Sequence, residues 1–167
     1  MVQRGVCVKK IVIDGHNLIP KVPGIQLSDP DDENKLIQMV SEYCRLSRTR
    51  ADLFFDRAPA GASPRSRFGL VSVHHVRVGT TADDAIIRHL RGEGPNARNI
   101  LVVSSDNRVK TEARALRAEV MNSEQFAQTM LNMLNSPVIP DSKRELPPTA
   151  EEVEEMLDLM TRKRKKP

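Results

Sequence analysis

The sequence is poor in aromatic side chains, with no tryptophan, one tyrosine and four phenylalanines. A protein that binds single strands by stacking bases on many aromatic rings is therefore not indicated. Cysteine is also scarce. Cys7 and Cys44 stand far apart, with neither metal-ligand spacing nor a disulfide framework, which is typical of a reduced, cytoplasmic protein.

Other absences concern membranes and nucleotides. No stretch is long and apolar enough to span a bilayer, and the opening residues lack the apolar core of a signal peptide. No P-loop, Gly-x-Gly-x-x-Gly or Gly-x-Ser-x-Gly motif is present, so we expect no nucleotide cofactor and no serine nucleophile. The 167 residues suffice for one domain, and the net charge of +4 is compatible with a polyanionic partner.

Strand-like and helix-like patterns alternate along the chain. Apolar residues that recur at helical spacing separate short β-rich runs, several of them continuous, as in strands buried on both faces of a parallel sheet. The alternation predicts an α/β, doubly wound fold with a mostly parallel sheet and helices on both faces, over residues 8–134. The predicted strands are 10–14, 51–56, 70–78, 99–106 and 118–121.

The composition changes in residues 135–167. Residues 135–148 contain four prolines and are interpreted as a strap or linker. Thr149 and Glu152 form a capping box before an apolar stripe, which predicts an amphipathic helix. That helix is either docked on the domain with a solvated basic end, or an appendage that contacts RNA or a ribonucleoprotein. Its basic end consists of Arg162, Lys163, Arg164, Lys165 and Lys166.

Aspartates cluster where predicted strands end. Asp14, Asp56 and Asp106 each close a strand, and the carboxyl ends of parallel strands meet at one edge where ligands bind. Helical spacing places Asp83 on the buried face of the helix after the fourth strand and Asp84 on its polar face. Converging carboxylates repel one another, and Mg²⁺ or Mn²⁺ would relieve that repulsion. The pattern favours a metal site that activates water.

Each of these acids also has a purely structural interpretation. Asp106 can cap a helix that begins near Asn107, and Asp84 can take part in a cap on Thr81. An aspartate at a strand end can also simply begin a turn. Taken together, these interpretations explain less than a shared site, because they leave the convergence of several acids unexplained.

A basic segment, Arg57–Phe68, follows Asp56 and contains no acid. Because it leaves a strand at its carboxyl end, we expect it to overhang the acids. There Arg57, Arg65 and Arg67 would hold RNA phosphates; an ordinary solvated loop is the alternative.

The histidines show no zinc-ligand spacing. His74 and His75 should point to opposite faces of a strand, and with His89 they are interpreted as structural. His16 is the exception, because it lies in the turn beside Asp14.

The motifs together resemble a known family. Ile11-Val-Ile-Asp-Gly-His-Asn-Leu-Ile19 is similar to the opening strand motif of YacP-like NYN domains, usually hydrophobic-Asp-Gly-Tyr-Asn. Phe54–Asp56, Gly79–Ile87 and Val102–Asp106 resemble the later motifs, in the same order. The resemblance covers residues 10 to about 130. It implies a PIN-like fold and Mg²⁺- or Mn²⁺-dependent endonucleolytic cleavage of RNA, and we expect the substrate to be single-stranded.

By motif position, the resemblance implies metal-binding acids at Asp14, Asp83 and Asp106. Asn17 would support the first turn, and His16 stands where tyrosine is usual. Members of this branch can act on messenger RNA associated with ribosomes, which would give the basic C-terminal residues a purpose.

The sequence departs from the family after Asp106. Asn107 and Arg108 replace the small or acidic residues common in related sites. A fourth acid would then be missing, so Asp84 or Asp56 is a candidate substitute, or only one metal binds tightly.

Two other functions remain open. One is a non-catalytic RNA- or ribosome-binding module that uses the same fold and its basic segments. The other is a phosphatase on a related α/β fold, which is disfavoured because the turn after Asp14 lacks a second aspartate two residues on. The number of metals, the RNA context and the oligomeric state are not predicted.

Overall fold

A mixed six-stranded sheet forms the centre of the protein, as seen in a computed structural model that describes residues 10–57 and 60–136. The strands are β1 (Lys10–Asp14), β2 (Arg50–Phe55), β3 (Arg65–Phe68), β4 (Val71–His75), β5 (Ile100–Val103) and β6 (Glu119–Met121). The helices are α1 (Gly15–Leu18), α2 (Asp32–Ser47), α3 (Ala82–Glu93), α4 (Asn107–Ala115) and α5 (Ser123–Asn135). Two 3-10 helices cover Ile19–Lys21 and Gly94–Asn99.

The sheet order is β3-β4-β2-β1-β5-β6, and every pairing is parallel except that of β3 with β4. Two apolar cores lie on its two faces. Ile11 and Ile13 of β1 pack with residues of α2 and α5, whereas Val12 packs with residues of α3 and α4. This alternation follows from the strand period of two. The predicted α/β fold, with a mostly parallel sheet and helices on both faces, is confirmed.

The segment Arg57–Phe68 departs from the prediction of a loop. Its last four residues form the antiparallel edge strand β3, which pairs with β4. Gly69 turns the chain between them with φ at +58°, a conformation that glycine adopts without steric cost. The polar alternation of Arg65-Ser-Arg-Phe68 suits an exposed sheet edge and lacks the apolar run that predicts a buried strand.

Strand ends also differ slightly from their predicted bounds. β5 ends at Val103, so Asp106 lies three residues beyond it, at the start of α4. Ser104 explains the early end: its N–H donates to the Met121 carbonyl, and its hydroxyl accepts from the Asp106 N–H. The chain therefore turns before it reaches the acid.

Contacts divide the chain into two units, residues 1–135 and 136–167. The predicted proline-containing strap and basic helix lie almost wholly outside the described residues, which end at 136, so the domain boundary and these elements stay predictions. Among the described helices, none has the length and apolar character needed to cross a membrane.

Candidate active site at the carboxyl edge

Asp14 is the last residue of β1 and the N-cap of α1. Its side chain is held by Asn17 at both oxygens: the backbone N–H donates to Oδ1 at 3.3 Å, and Nδ2 donates to Oδ2 at 3.1 Å. Burial raises the pKa of Asp14, and the charge of Asp56 adds to this, while the bonds from Asn17 oppose it. Asp14 is thus a fixed, buried carboxylate in an environment that disfavours its charge.

The glycine after Asp14 is required by packing. A Cβ atom on Gly15 would clash with Cε1 of Phe55, a fully buried ring on β2. The first turn of α1 can approach β2 closely only because this position has no side chain. The Asp-Gly-His-Asn turn therefore depends on Gly15 to place Asp14 at the sheet edge.

Asp83 is electrostatically coupled to the other acids at this edge of the sheet. Burial raises its pKa, and the charges of Asp14, Asp106 and Asp56 raise it further, to about 6. Like charges at short range disfavour ionisation of the acid between them. Four carboxylates from β1, the end of β2, α3 and the start of α4 therefore form one electrostatic cluster.

Asp106 is both a helix cap and a member of this cluster. Its Oδ1 accepts the backbone N–H groups of Arg108 and Val109, at 2.8 and 3.1 Å. Both bonds go to Oδ1, so the cap engages one of the two carboxylate oxygens of Asp106. The role of Asp106 as a cap is therefore compatible with its charge acting on Asp83.

Asp84 and Asp56, the candidate substitutes for a fourth acid, have other partners. Asp84 lies on the outer face of α3, where its Oδ1 is 2.6 Å from Nη2 of Arg108, and its N–H donates to the Thr81 hydroxyl. Asp56 Oδ1 accepts the N–H of Ala82 at 2.5 Å. Asp56 thereby ties the end of β2 to the first residue of α3 and helps to place the adjacent Asp83.

No three side chains among the His, Cys, Asp and Glu residues of 10–57 and 60–136 converge tightly enough to hold a metal ion by themselves. The donors at the cluster are nevertheless all carboxylate oxygens, the chemistry that Mg²⁺ and Mn²⁺ prefer. Mg²⁺ commonly keeps several waters and binds through one or two carboxylates plus substrate phosphates. The cluster fits such a hydrated ion better than a closed protein cage.

A cavity of about 710 Å³ adjoins the cluster and is lined by Asp56, Arg57, Arg77, His16 and Glu33, with the loop from Val78 to Thr81. It opens where β1, β2 and β4 end. Arg57 adopts φ of +57°, the left-handed region that is uncommon for non-glycine residues. The lining of the cavity thus brings Arg57 and Arg77 close to Asp56, one acid of the cluster.

His16 is fixed on the wall of this cavity. Its Nδ1 accepts the Asp56 N–H at 3.2 Å, and its Nε2 lies 3.4 Å from Oε1 of Glu33. Glu33 raises the pKa of His16, whereas the Asp56 N–H favours the neutral ring. The other oxygen of Glu33 is 3.1 Å from Nε2 of His75. Burial alone would raise the pKa of Glu33, but the two imidazoles hold it below its ordinary value.

Glu33 is a site residue that the sequence did not reveal. It lies in the first turn of α2, where an acid is ordinary because it favours the positive end of the helix dipole. Its partners His16 and His75 are 17 and 42 residues away, so no local spacing connects them.

Two of the three basic-segment arginines do not lie with the acids. Arg57 lines the cavity beside Asp56, as expected. Arg65 and Arg67 lie on β3 and line a different cavity with Lys10 and Arg50. The expectation that they overhang the acids is therefore wrong, because formation of β3 directs them onto the sheet edge. The basic run Arg162–Lys166 falls outside the described residues.

Comparisons with known proteins agree with this architecture. The family model of the YacP-like NYN domain matches residues 11–165. A crystal structure of Rae1 (YacP) from Bacillus subtilis superimposes with a TM-score of 0.63 at 17% identity, covering 92% of this chain and 82% of that one. A tryptophan-to-leucine variant of the same protein gives 0.61 at 21% identity, covering 75% and 77%. No curated protein matches the chain.

The two kinds of comparison carry different weight. At these identities the crystal structures establish the fold alone, while the family model spans most of the chain. NYN domains are generally nucleases of PIN-like fold and usually use divalent metals, which supports a ribonuclease-type enzyme at the level of the family. The chain belongs to the YacP-like NYN domain family.

Proposed function

We propose that this protein is a metal-dependent endoribonuclease that cleaves single-stranded RNA, with Asp14, Asp83 and Asp106 as its catalytic acids. One observation carries the proposal: the charges of Asp14, Asp106 and Asp56 contribute to raising the pKa of Asp83 to about 6. Acids that serve only as caps or turns gain nothing from such mutual repulsion. The cluster also lies at the carboxyl edge of the parallel strands, which is where ligands usually bind in open α/β sheets.

The cluster would hold Mg²⁺ or Mn²⁺ through Asp14, Asp83 and Asp106. When bound, the ion would supply the Lewis acidity that lowers the pKa of water and offsets charge on the phosphate. Asp84 is left out of the proposed ligand set because Arg108 already pairs with it. Asp56 is a weaker candidate because one of its oxygens accepts the Ala82 N–H.

The chain's other residues position the substrate and the acids. Asn17 fixes both oxygens of Asp14. Arg57 and Arg77 line the adjoining cavity, where guanidinium groups suit the bidentate binding of phosphates. His16, held by the Asp56 N–H and Glu33, lines the same cavity. These contacts favour a bound RNA backbone with its scissile phosphate beside the acids.

The family resemblance extends the proposal to messenger RNA on the ribosome, in the cytoplasm. This extension rests on the family, and not on the fold that the chain shares with Rae1 (YacP). The alternative is a non-catalytic RNA- or ribosome-binding module. It is favoured by the lack, within residues 10–57 and 60–136, of three side chains that converge enough to hold a metal.

A cleavage assay separates the two functions. Purified protein is incubated with end-labelled single-stranded RNA in Mg²⁺, Mn²⁺ or EDTA, beside the Asp14→Asn variant. The outward-facing Asp84→Asn variant serves as a matched control. We expect internal cuts that need metal, persist in Asp84→Asn and disappear in Asp14→Asn. Protein that binds RNA but cuts none, with or without ribosomes present, would refute the nuclease and favour the binding module.

A further inference from the structure

A second cavity, of about 400 Å³, extends from the amino ends of the central strands to the edge strand β3. Its lining includes Lys10, Arg50 and Ile100, the first residues of β1, β2 and β5. Asp14, in contrast, is the last residue of β1. Four residue steps along a strand span ~13 Å, which separates Lys10 from Asp14 along β1. Arg65 lies in the same cross-strand row as His74, Phe54 and Asp14, so three strand spacings, ~14 Å, separate it from Asp14.

Arg65 and Arg67 line this cavity together with Arg50. They alternate with Ser66 along β3, and their cross-strand partners on β4 are His74 and Ser72. Residues two apart on a strand project to the same face. Arg65 and Arg67 therefore lie over one face of the sheet edge, where they line the same cavity as Arg50 of β2.

The two carboxylates in the lining, Asp52 and Glu93, already have basic partners. Lys10 Nζ lies 2.6 Å from Asp52 Oδ2 and 2.9 Å from Glu93 Oε1. His74 Nε2 is 3.0 Å from Asp52 Oδ1, and His89 Nε2 is 3.1 Å from Asp52 Oδ2. The acids of the lining are thus compensated by Lys10 and the imidazoles, and the three arginines add an excess of positive charge.

We propose that Arg50, Arg65 and Arg67 form a phosphate-binding groove, here the arginine groove, for the backbone of an RNA strand. The identity of the polymer rests on the proposed function. Guanidinium groups bind phosphate oxygens bidentately and fix register without reading sequence. Because the groove is remote from the acids, it binds nucleotides some distance from the scissile bond. It therefore increases affinity for long strands without taking part in bond cleavage.

The groove is tested by binding measurements that do not depend on cleavage. The double variant Arg50→Gln/Arg65→Gln is compared with Arg45→Gln/Arg114→Gln, which removes the same charge from exposed positions on α2 and α4. Both are made in the Asp14→Asn background, and fluorescent single-stranded RNAs of ~20 and ~4 nucleotides are titrated in EDTA over a range of KCl. Thermal melting confirms that each variant is folded.

We expect the groove variant to bind the long RNA roughly tenfold more weakly at low salt. The slope of log K against log salt should fall by about 1.4, the value for two lost phosphate contacts on a single strand. The short RNA should bind as before, and the control pair should change little. Restoring charge with Arg50→Lys/Arg65→Lys should recover part of the affinity for the long strand.

Three outcomes would overturn the groove. Equal losses in the two double variants would indicate a general effect of net charge. Equal losses for short and long RNA would place these arginines at the active site. Unchanged binding of the long RNA would show that the arginine groove does not bind RNA. The groove would then be expected to bind another partner, such as an acidic protein. Failure of the nuclease is distinguishable: protein that cuts no RNA but loses long-strand binding in the groove variant refutes only the proposed function.

Discussion

Two groups of acidic residues occupy opposite ends of the same sheet, and they differ in how their charge is compensated. At the amino end, burial alone would raise the pKa of Asp52, but His74, His89 and Lys10 hold it well below its ordinary value. At the carboxyl end, burial and neighbouring acids raise the pKa of Asp83 to about 6. A buried carboxylate with cationic and imidazole partners, such as Asp52, stabilises the fold. Neighbouring carboxylates instead make ionisation of Asp83 unfavourable, and a bound cation would relieve that repulsion.

The largest expected effect is on catalysis at the carboxyl end. Asp83→Asn should reduce RNA cleavage by more than ~100-fold, because it removes one of the few carboxylates proposed to hold the metal. Asp84→Asn, which changes the adjacent outward-facing residue, should retain activity within a few-fold. Initial rates in Mg²⁺ measure both. Comparable activity in Asp83→Asn and wild type would refute the assignment of Asp83 to the catalytic acids. The two groups of acids would then not differ in function.

A large loss of stability is expected at the amino end. Asp52→Asn removes the ion pair between Asp52 and Lys10, although Glu93 remains a partner of Lys10. It should lower the free energy of unfolding by about 2 kcal/mol at pH 7, as loss of a buried hydrogen bond to a charged group does. Since the pKa of Asp52 is depressed in the fold, this stabilisation is present above about pH 4 and decreases as the pH falls through the lower folded value. Urea unfolding at pH 7 and pH 3 measures it. A variant as stable as wild type at pH 7 would contradict the pairing.

The packing beneath the acidic cluster should respond next. Gly15→Ala places a methyl group against Phe55 and should cost about 2 kcal/mol of unfolding free energy, as overpacking usually does. Gly92→Ala is the control, because a Cβ there meets no atom within 4 Å and alanine favours the helix. Thermal and urea unfolding of both variants test whether the first turn needs the close approach. Equal stabilities would show that Phe55 can move aside.

The smallest expected effect is a gain of stability. Two pKa units correspond to about 3 kcal/mol, but Asp83 is only partly buried, so we expect Asp83→Asn to stabilise the metal-free protein by about 1 kcal/mol at pH 8. The cost of ionising Asp83 is present above its folded pKa of about 6 and disappears as the pH falls toward 4. The gain should therefore vanish near pH 4. A variant that is less stable than wild type in EDTA at pH 8 would mean that Asp83 is stabilised by its surroundings.

Much of the fold follows from local sequence patterns. The continuous apolar runs of β1, β2 and β5 and the helical spacing in α2 to α5 predicted those elements, and the spacing around Ile86 placed Asp83 inward and Asp84 outward. β3 escaped prediction because its alternation of arginine and serine carries no apolar signal. The pattern at 99–106 extended past the strand because Ser104 bends the chain before Asp106.

The sequence by itself determined the kind of site: acids after strands, a glycine in the first turn and caps at α3 and α4. Only the tertiary structure decided which charges meet. Asp52 joins Lys10, His74 and His89, and Glu33 joins His16, across 17 to 42 residues of chain. Periodicity reports only the neighbourhood within a few residues, whereas these contacts depend on sheet order and register, where a slip of one residue turns every side chain to the other face.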